Sequence, residues 1–145
     1  MVEDLHKSQK TGCHIEGPQF TTRAGLEPVV GVLSVVAVFL LQLRQLGRDP
    51  EHQEDPADRW VPPTWIEVLS GWRWPKEPPR LNMTIKEFLY ALARLGGHQN
   101  RKGDGDPGWI TLWRGWGKLL GRVEGFRLGQ QARAHSPLDF PDLPP

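Results

Sequence analysis

The residues whose types and spacing could do chemistry lie at the very start of the chain. Glu3, His6, Lys7 and Lys10 are spaced at i, i+3, i+4 and i+7, so they share one face if the segment is helical. Carboxylates, imidazoles and amines are the groups from which catalytic sites are built, but the same spacing is typical of a solvated, charged helix end. Spacing alone therefore favours a structural role for this cluster.

Other familiar site types are not predicted. Cys13 and His14 are adjacent, with no second cysteine or paired histidine at zinc-ligand spacing. The stretch "GDGDPG" at 103–108 lacks the glycine and glutamate positions of a calcium loop and is interpreted as a turn. A single cysteine excludes an internal disulfide and fits a reducing cytoplasm. A net charge of +1 gives no global indication of nucleic-acid binding.

The elements that would position a site are helical, so the sequence predicts an all-α protein. Residues 29–43 form an apolar run that favours a helix apolar on most sides, shorter than the roughly 20 residues that span a bilayer. The rest of the chain is too small to wrap this helix, so we expect it to stay partly exposed. Pro62 and Pro63 precede a second helix, and Gly71 follows it.

The third and fourth helices have clear start signals. Thr84 and Glu87 have the spacing of a capping box, and Gly96 and Gly97 end the third helix. Asp106 as a cap and Pro107 as the first residue predict a fourth helix, which reaches about residue 127. Its apolar side chains fall on one arc, which faces a core or a partner: Trp109, Leu112, Trp113, Trp116, Leu119, Leu120, Val123 and Phe126.

Three glycines spaced by four, Gly117, Gly121 and Gly125, flank this arc. Each interior glycine costs a helix about 1 kcal/mol relative to alanine. One interpretation is a seam where another backbone approaches closely; chance placement of small residues is the alternative.

Composition divides the chain into five stretches: a polar, mixed stretch at 1–22, residues 23–47 with the apolar run, a charged linker or exposed loop at 48–59, a segment at 60–128 with all seven tryptophans, and a disordered tail at 129–145.

Two sequence blocks in a fixed order resemble a known family. "GVLSVVAVFLLQLRQL" and then "ALARLGGHQNRKGDGDPGWITLWRGWGKLLGRVEGF", with "LLQLR", "ARLGG", "LWRGW" and "EGF", are similar to the C-terminal part of bacterial cut-and-paste DDE transposases of the insertion-sequence-four family. The resemblance covers about residues 1–128. It implies a small helical dimerisation domain at 60–128, preceded at 1–47 by the end of a ribonuclease-H-like catalytic domain.

The resemblance also assigns roles to the N-terminal cluster. The family has a Tyr, Arg, Glu, Lys signature with six residues between Glu and Lys, and "EDLHKSQK" gives Glu3 and Lys10 this spacing. Glu3 thus resembles the catalytic, metal-binding glutamate, and Lys10 and Lys7 resemble DNA-contacting lysines. The signature's Tyr and Arg and the family's two catalytic aspartates would lie before Met1. Because a two-metal site needs several carboxylates, we expect this chain alone to hold neither the Mg²⁺ nor the Mn²⁺ of the full-length family, and neither to cut nor to join DNA.

On this interpretation the chain is a truncated transposase that takes part in DNA transposition only within a longer, cytoplasmic protein. We expect a homodimer, or a mixed dimer with intact transposase, and contact with transposon-end DNA through the parent enzyme. The dimer interface is predicted to include Trp113, Trp116, Gly117, Leu120, Gly121 and Gly125. The alternatives are an interaction protein that inhibits intact transposase through mixed dimers, a decayed remnant, and a small membrane-associated protein built on residues 29–43.

Overall fold

A computed structural model describes residues 23–135, and four α-helices make up most of this range. They are α1 (Arg23–Leu46), α2 (Pro63–Arg73), α3 (Ile85–Leu95) and α4 (Trp109–His135), with a 3₁₀ turn at Ala57–Arg59. Within the described range there is no strand, only an isolated antiparallel bridge between Pro56 and Thr84. The predicted all-α fold is confirmed.

The central helix is α3, and its start follows the sequence prediction. The Glu87 N–H donates to Thr84 Oγ1 at 3.2 Å, and the Thr84 N–H donates to Glu87 Oε2 at 3.0 Å, which completes the capping box. Gly97 ends the helix with a φ of 105°. Seven of the eleven residues of α3 are buried: Ile85, Phe88, Leu89, Ala91, Leu92, Ala93 and Leu95.

The crossing of α3 and α4 is a backbone-to-backbone contact at two glycines. A Cβ on Gly96 would overlap the Thr111 carbonyl and lie 2.8 Å from the Gly115 nitrogen. A Cβ on Gly115 would overlap the Leu92 carbonyl and lie 3.2 Å from the Gly96 nitrogen. Only glycine fits at either position, so these two residues fix how closely the helices approach.

Helix α1 divides into an exposed half and a buried half. It extends beyond the apolar run at both ends, and the stretch Glu27–Leu46 is long and apolar enough to cross a membrane by length and composition alone. Ala37, Leu40 and Leu43 are nevertheless buried, and Leu40 and Leu43 belong to the core shared with α2, α3 and α4. Val32 and Val35 are 63% and 70% exposed. The expected partial exposure of this helix is confirmed: one side of its second half is buried in the core, whereas Val38 in the same half is 42% exposed.

Residues 48–59, predicted as a linker or exposed loop, are mostly exposed but ordered against the start of α3. The Ala57 N–H donates to the Met83 carbonyl at 2.9 Å, and the Ile85 N–H donates to the Asp55 carbonyl at 2.8 Å. Ala57 itself is fully buried. Backbone pairing therefore attaches this connection to the helical core.

Both ends of α4 differ from the sequence prediction. The Gly108 carbonyl accepts the hydrogen bond from the Leu112 N–H, so the helix begins after Pro107 rather than at it. Asp106, predicted to cap α4, instead bridges two other elements: Tyr90 donates its hydroxyl hydrogen to Oδ1 at 3.0 Å, and Arg48 Nε lies 3.3 Å from Oδ2.

Residues 129–135, the first part of the predicted disordered tail, continue α4 in the structure, and the rest of that tail lies outside the described residues. This extension is exposed, and its glutamine, alanine and arginine residues are good helix formers that prolong a helix already nucleated in the core.

Replacing Gly115 by alanine is expected to destabilise the protein by ~1–3 kcal/mol or more, because the two backbones must separate to admit a methyl group. Gly129→Ala is the matched control, since no atom lies within 4 Å of a Cβ built on Gly129 in the same helix. It should be neutral or stabilising by up to about 1 kcal/mol. Urea unfolding of both variants measures the difference, and similar stabilities would disprove the contact.

Tyr90 is the only tyrosine, so its ionisation can be followed in isolation by tyrosinate absorbance. Burial, and then the hydrogen bond and negative charge of Asp106, raise the pKa of the Tyr90 phenol above its ordinary value, with a smaller opposing effect of Arg48. Asp106→Asn should lower the titration midpoint but leave it above that of the urea-unfolded chain, because burial remains.

The raised pKa has a defined effect on stability. The phenol's contribution is fully present below the unfolded pKa of about 10 and is lost as pH rises through the higher folded pKa. Tyr90→Phe should therefore show a smaller loss of unfolding free energy in this alkaline window. An identical midpoint in wild type and Asp106→Asn would contradict the assignment.

Candidate interaction surface

The buried side of α4 ends in an aromatic cluster. Trp116 is 6% exposed, and its ring centroid lies 4.6 Å from that of Trp65 on α2, at an interplanar angle of 82°. The ring of Phe39 on α1 lies 5.2 Å from Trp116 and 6.4 Å from Trp65. Such edge-to-face and tilted contacts are favourable arrangements of aromatic rings. Three helices therefore meet at Trp116.

Two further contacts hold α4 from its flanks. Lys118 Nζ donates to the Leu95 carbonyl at 3.2 Å, which places a cation at the C-terminal end of α3. The guanidinium of Arg122 lies 5.8 Å from the ring centroid of Trp72 on α2. These two charged side chains thus attach α4 to α3 and α2.

A second tryptophan pair lies at the start of α4. The rings of Trp109 and Trp113 are stacked, with centroids 6.0 Å apart and an interplanar angle of 26°. Both are partly buried and pack at the edge of the core. Trp113 therefore stands at the border between the buried side of α4 and its solvent-exposed side.

The solvent-exposed side carries an unusual number of apolar and small residues. We call it the outer face of α4; its apolar and small residues are Ile110, Trp113, Gly117, Leu120, Gly121, Gly125 and Leu128, and the exposed Glu124 lies among them, between Leu120 and Leu128. Ile110 and Leu120 are each 41% exposed, and Leu128 is 55% exposed. Successive named residues of the outer face are three, four or one positions apart, which keeps them in one continuous band along the helix. Leu120, placed by the sequence on the arc with the core residues, therefore lies on this exposed side.

The three predicted seam glycines lie on or beside this band and are open. No atom of the described chain lies within 4 Å of a Cβ built on Gly117, Gly121 or Gly125. Within the described chain, the close backbone approach on α4 occurs instead at Gly115, which is not one of the three glycines spaced by four. The sequence pattern does not single out Gly115, and sequence alone does not show that Gly96 and Gly115 meet.

Of the predicted interface residues, the structure assigns one to the core and leaves the others accessible. Trp116 packs against Trp65 and Phe39, whereas Trp113 is partly buried and Gly117, Leu120, Gly121 and Gly125 are exposed. The predicted catalytic and metal-binding Glu3 and the predicted DNA-binding Lys7 and Lys10 lie outside the described residues. In residues 23–135 no three His, Cys, Asp or Glu side chains are grouped so that they could hold a metal ion.

Residues 35–137 match the family model described as the transposase Tn5 dimerisation domain. The match begins where α1 enters the core and ends close to the C-terminal end of α4. It therefore spans the buried half of α1, both short helices and the whole of α4.

The two tryptophans should respond differently to truncation. Trp116→Ala removes a core side chain shared by three helices and is expected to cost ~3–5 kcal/mol of unfolding free energy. Trp113→Ala, at the border of the core, should cost roughly half as much and leave a folded protein. Urea unfolding followed by circular dichroism distinguishes them, and equal losses would contradict this division of α4.

Proposed function

The chain belongs to the transposase Tn5 dimerisation domain family, and from this premise we propose that it is the dimerisation region of a cut-and-paste DNA transposase. In this role it contributes to DNA transposition by pairing two protomers, as part of a longer cytoplasmic protein of the insertion-sequence-four group. The observation that carries the proposal is the outer face of α4, which is largely apolar, contains three glycines and is exposed to solvent.

The outer face is self-complementary in a two-fold antiparallel pairing of α4 with its copy. A two-fold axis level with residue 119 sets each residue i opposite residue 238 − i, so 110 lies opposite 128, 113 opposite 125 and 117 opposite 121, whereas Leu120 lies opposite Lys118 of the partner subunit. Ile110 then meets Leu128 of the partner subunit, Trp113 meets Gly125 of the partner subunit, and Gly117 meets Gly121 of the partner subunit. An isologous interface requires this kind of self-matching.

The pairing explains both the apolar residues and the glycines. A large ring set over a glycine fills the space that the missing side chain leaves, and two facing glycines allow the helix backbones to approach closely. Burial of Ile110, Leu120 and Leu128 would remove their exposed apolar surface from water, at about 25 cal/mol per Å². The proposed contact residues are therefore Trp113, Gly117, Leu120, Gly121 and Gly125, with Trp116 supporting them from the core.

Mixed dimers follow from the same surface. An intact transposase that carries the same α4 would present an identical face, so this chain would pair with it as readily as with itself. Excess chain should then lower transposition by the intact enzyme, because one protomer of each mixed dimer would bring no complete active site.

Gly121→Leu is the variant that tests the interface. Apart from the local helix backbone, no atom of the described residues lies within 4 Å of a Cβ at this position, so the monomer should fold normally. Between two helices the leucine would hold the backbones apart, and we expect the dimer dissociation constant to rise ~100-fold or more. Analytical ultracentrifugation over a range of protein concentrations measures the constant.

Gly129→Leu is the matched control, because Gly129 is equally open on the same helix but lies off the outer face. It should dimerise like wild type. A wild-type chain that stays monomeric at high concentration would refute the proposal, as would a Gly121→Leu chain that dimerises as well as Gly129→Leu. In the mixed-dimer assay, Gly121→Leu should lose inhibition and Gly129→Leu should keep it.

A further inference from the structure

A second feature, distant in sequence from the outer face of α4, is a cavity between the end of α2 and one side of α3. It encloses about 170 Å³. Its polar and aromatic lining consists of Arg73, Trp74, Glu87, Tyr90, Arg94 and Asn100. Small-molecule sites are usually larger, about 300–1,000 Å³, so this cavity suits a small group attached to something that continues outside it.

Trp74 forms the platform of this cavity, and arginines lie against it. The guanidinium carbon of Arg80 is 4.4 Å from the Trp74 ring centroid, and that of Arg73 is 5.3 Å from it. A guanidinium that lies over an aromatic ring uses its face for that contact and keeps N–H donors at its edge available. Arg73 therefore keeps its edge donors available, whereas Arg80 uses Nε and Nη2 to bind Glu77.

The loop that carries Arg80 is held in place before any ligand arrives. The Arg80 N–H donates to Ser70 Oγ at 2.6 Å, and Ser70 is buried. The Arg80 side chain donates to Glu77 Oε2 at 2.7 and 3.1 Å, and the Glu77 N–H donates to the Trp74 carbonyl at 3.1 Å. A site ordered in advance loses less conformational entropy on binding.

The charge in the cavity is positive. Among the described residues, neither Arg73 nor Arg94 has a carboxylate oxygen within 4.0 Å, and Arg94 donates only to the Gln99 carbonyl at 3.3 Å. Glu87, the acid in the lining, is already engaged in capping α3 through Oε2. The lining thus has two arginines and one carboxylate, and that carboxylate already accepts a hydrogen bond in the capping box. The whole chain, by contrast, has a net charge of only +1.

We propose that this cavity binds a backbone phosphate of DNA, with Arg73 and Arg94 as its cationic donors and Trp74 as the platform that orients Arg73. Guanidinium donors match phosphate oxygens in geometry and charge, and a phosphodiester is a small group on a polymer that continues past the cavity. The choice of DNA as the polymer rests on the proposed function, whereas the anion site rests on the cavity itself. The dimerisation domain would then contribute to holding DNA as well as pairing protomers.

The test is binding of the whole chain to a fluorescently labelled duplex of mixed sequence, ~20 base pairs long, measured by anisotropy between about 50 and 200 mM salt. Arg73→Gln and Arg94→Gln should each weaken binding at low salt and reduce the slope of log K against log salt by about 1. Arg133→Gln is the matched control, because Arg133 is an exposed arginine near the far end of α4. It should leave the slope unchanged.

Further variants separate the phosphate site from other causes. Arg73→Lys keeps the charge and should keep most of the salt slope, with circular dichroism confirming that each variant is folded. Gly121→Leu should bind DNA with the wild-type slope per chain, so loss of dimerisation and loss of DNA binding are independent results.

Three outcomes would overturn the proposal. They are no DNA binding by wild type at the lowest salt, an equal loss of affinity and slope in Arg133→Gln, and tighter binding of a polyglutamate peptide than of the duplex. The last result would assign the cavity to an acidic protein segment.

Discussion

The contact between Gly96 and Gly115 is the constraint on which the rest of the structure depends. Because neither residue has a side chain, the end of α3 and the first half of α4 touch through their backbones. This approach fixes the rotation of α4, so that Trp116 reaches Trp65 and Phe39 and closes the core over α1 and α2. The same rotation turns Ile110, Leu120 and Leu128 toward solvent. The core and the outer face are thus two consequences of one crossing.

Glycine has two different roles along α4. At Gly115 it is used within the chain, where any side chain would collide with the Leu92 carbonyl. At Gly117, Gly121 and Gly125 the space is open, so their cost in helix stability has no compensation within the described residues. A second helix at that surface would supply the compensation. All four residues are glycines in one helix, but only Gly115 already has a neighbouring backbone within the described residues.

The extent of the family match agrees with how α1 is packed. The match begins at residue 35, close to Ala37, the first fully buried residue of α1, and the more exposed residues Val32 and Val35 lie before or at this boundary. The second half of α1 is therefore part of the helical domain, whereas the resemblance had assigned residues 1–47 to the end of a catalytic domain. The loop at 48–59 belongs to the same body because it pairs by backbone hydrogen bonds with the start of α3.

The sequence by itself determined the local elements: the helices, the capping box at Thr84, the glycine end of α3 and the apolar residues of α3 follow from periodicity and end signals that act over a few residues. Through the paired blocks it also indicated the family. Only the tertiary structure decided that Gly115 rather than Gly117 meets a backbone, that Asp106 bridges Tyr90 and Arg48 instead of capping α4, and that Arg73 and Arg94 share a cavity. These outcomes depend on pairs of residues far apart in the chain, and no local pattern specifies how two helices cross.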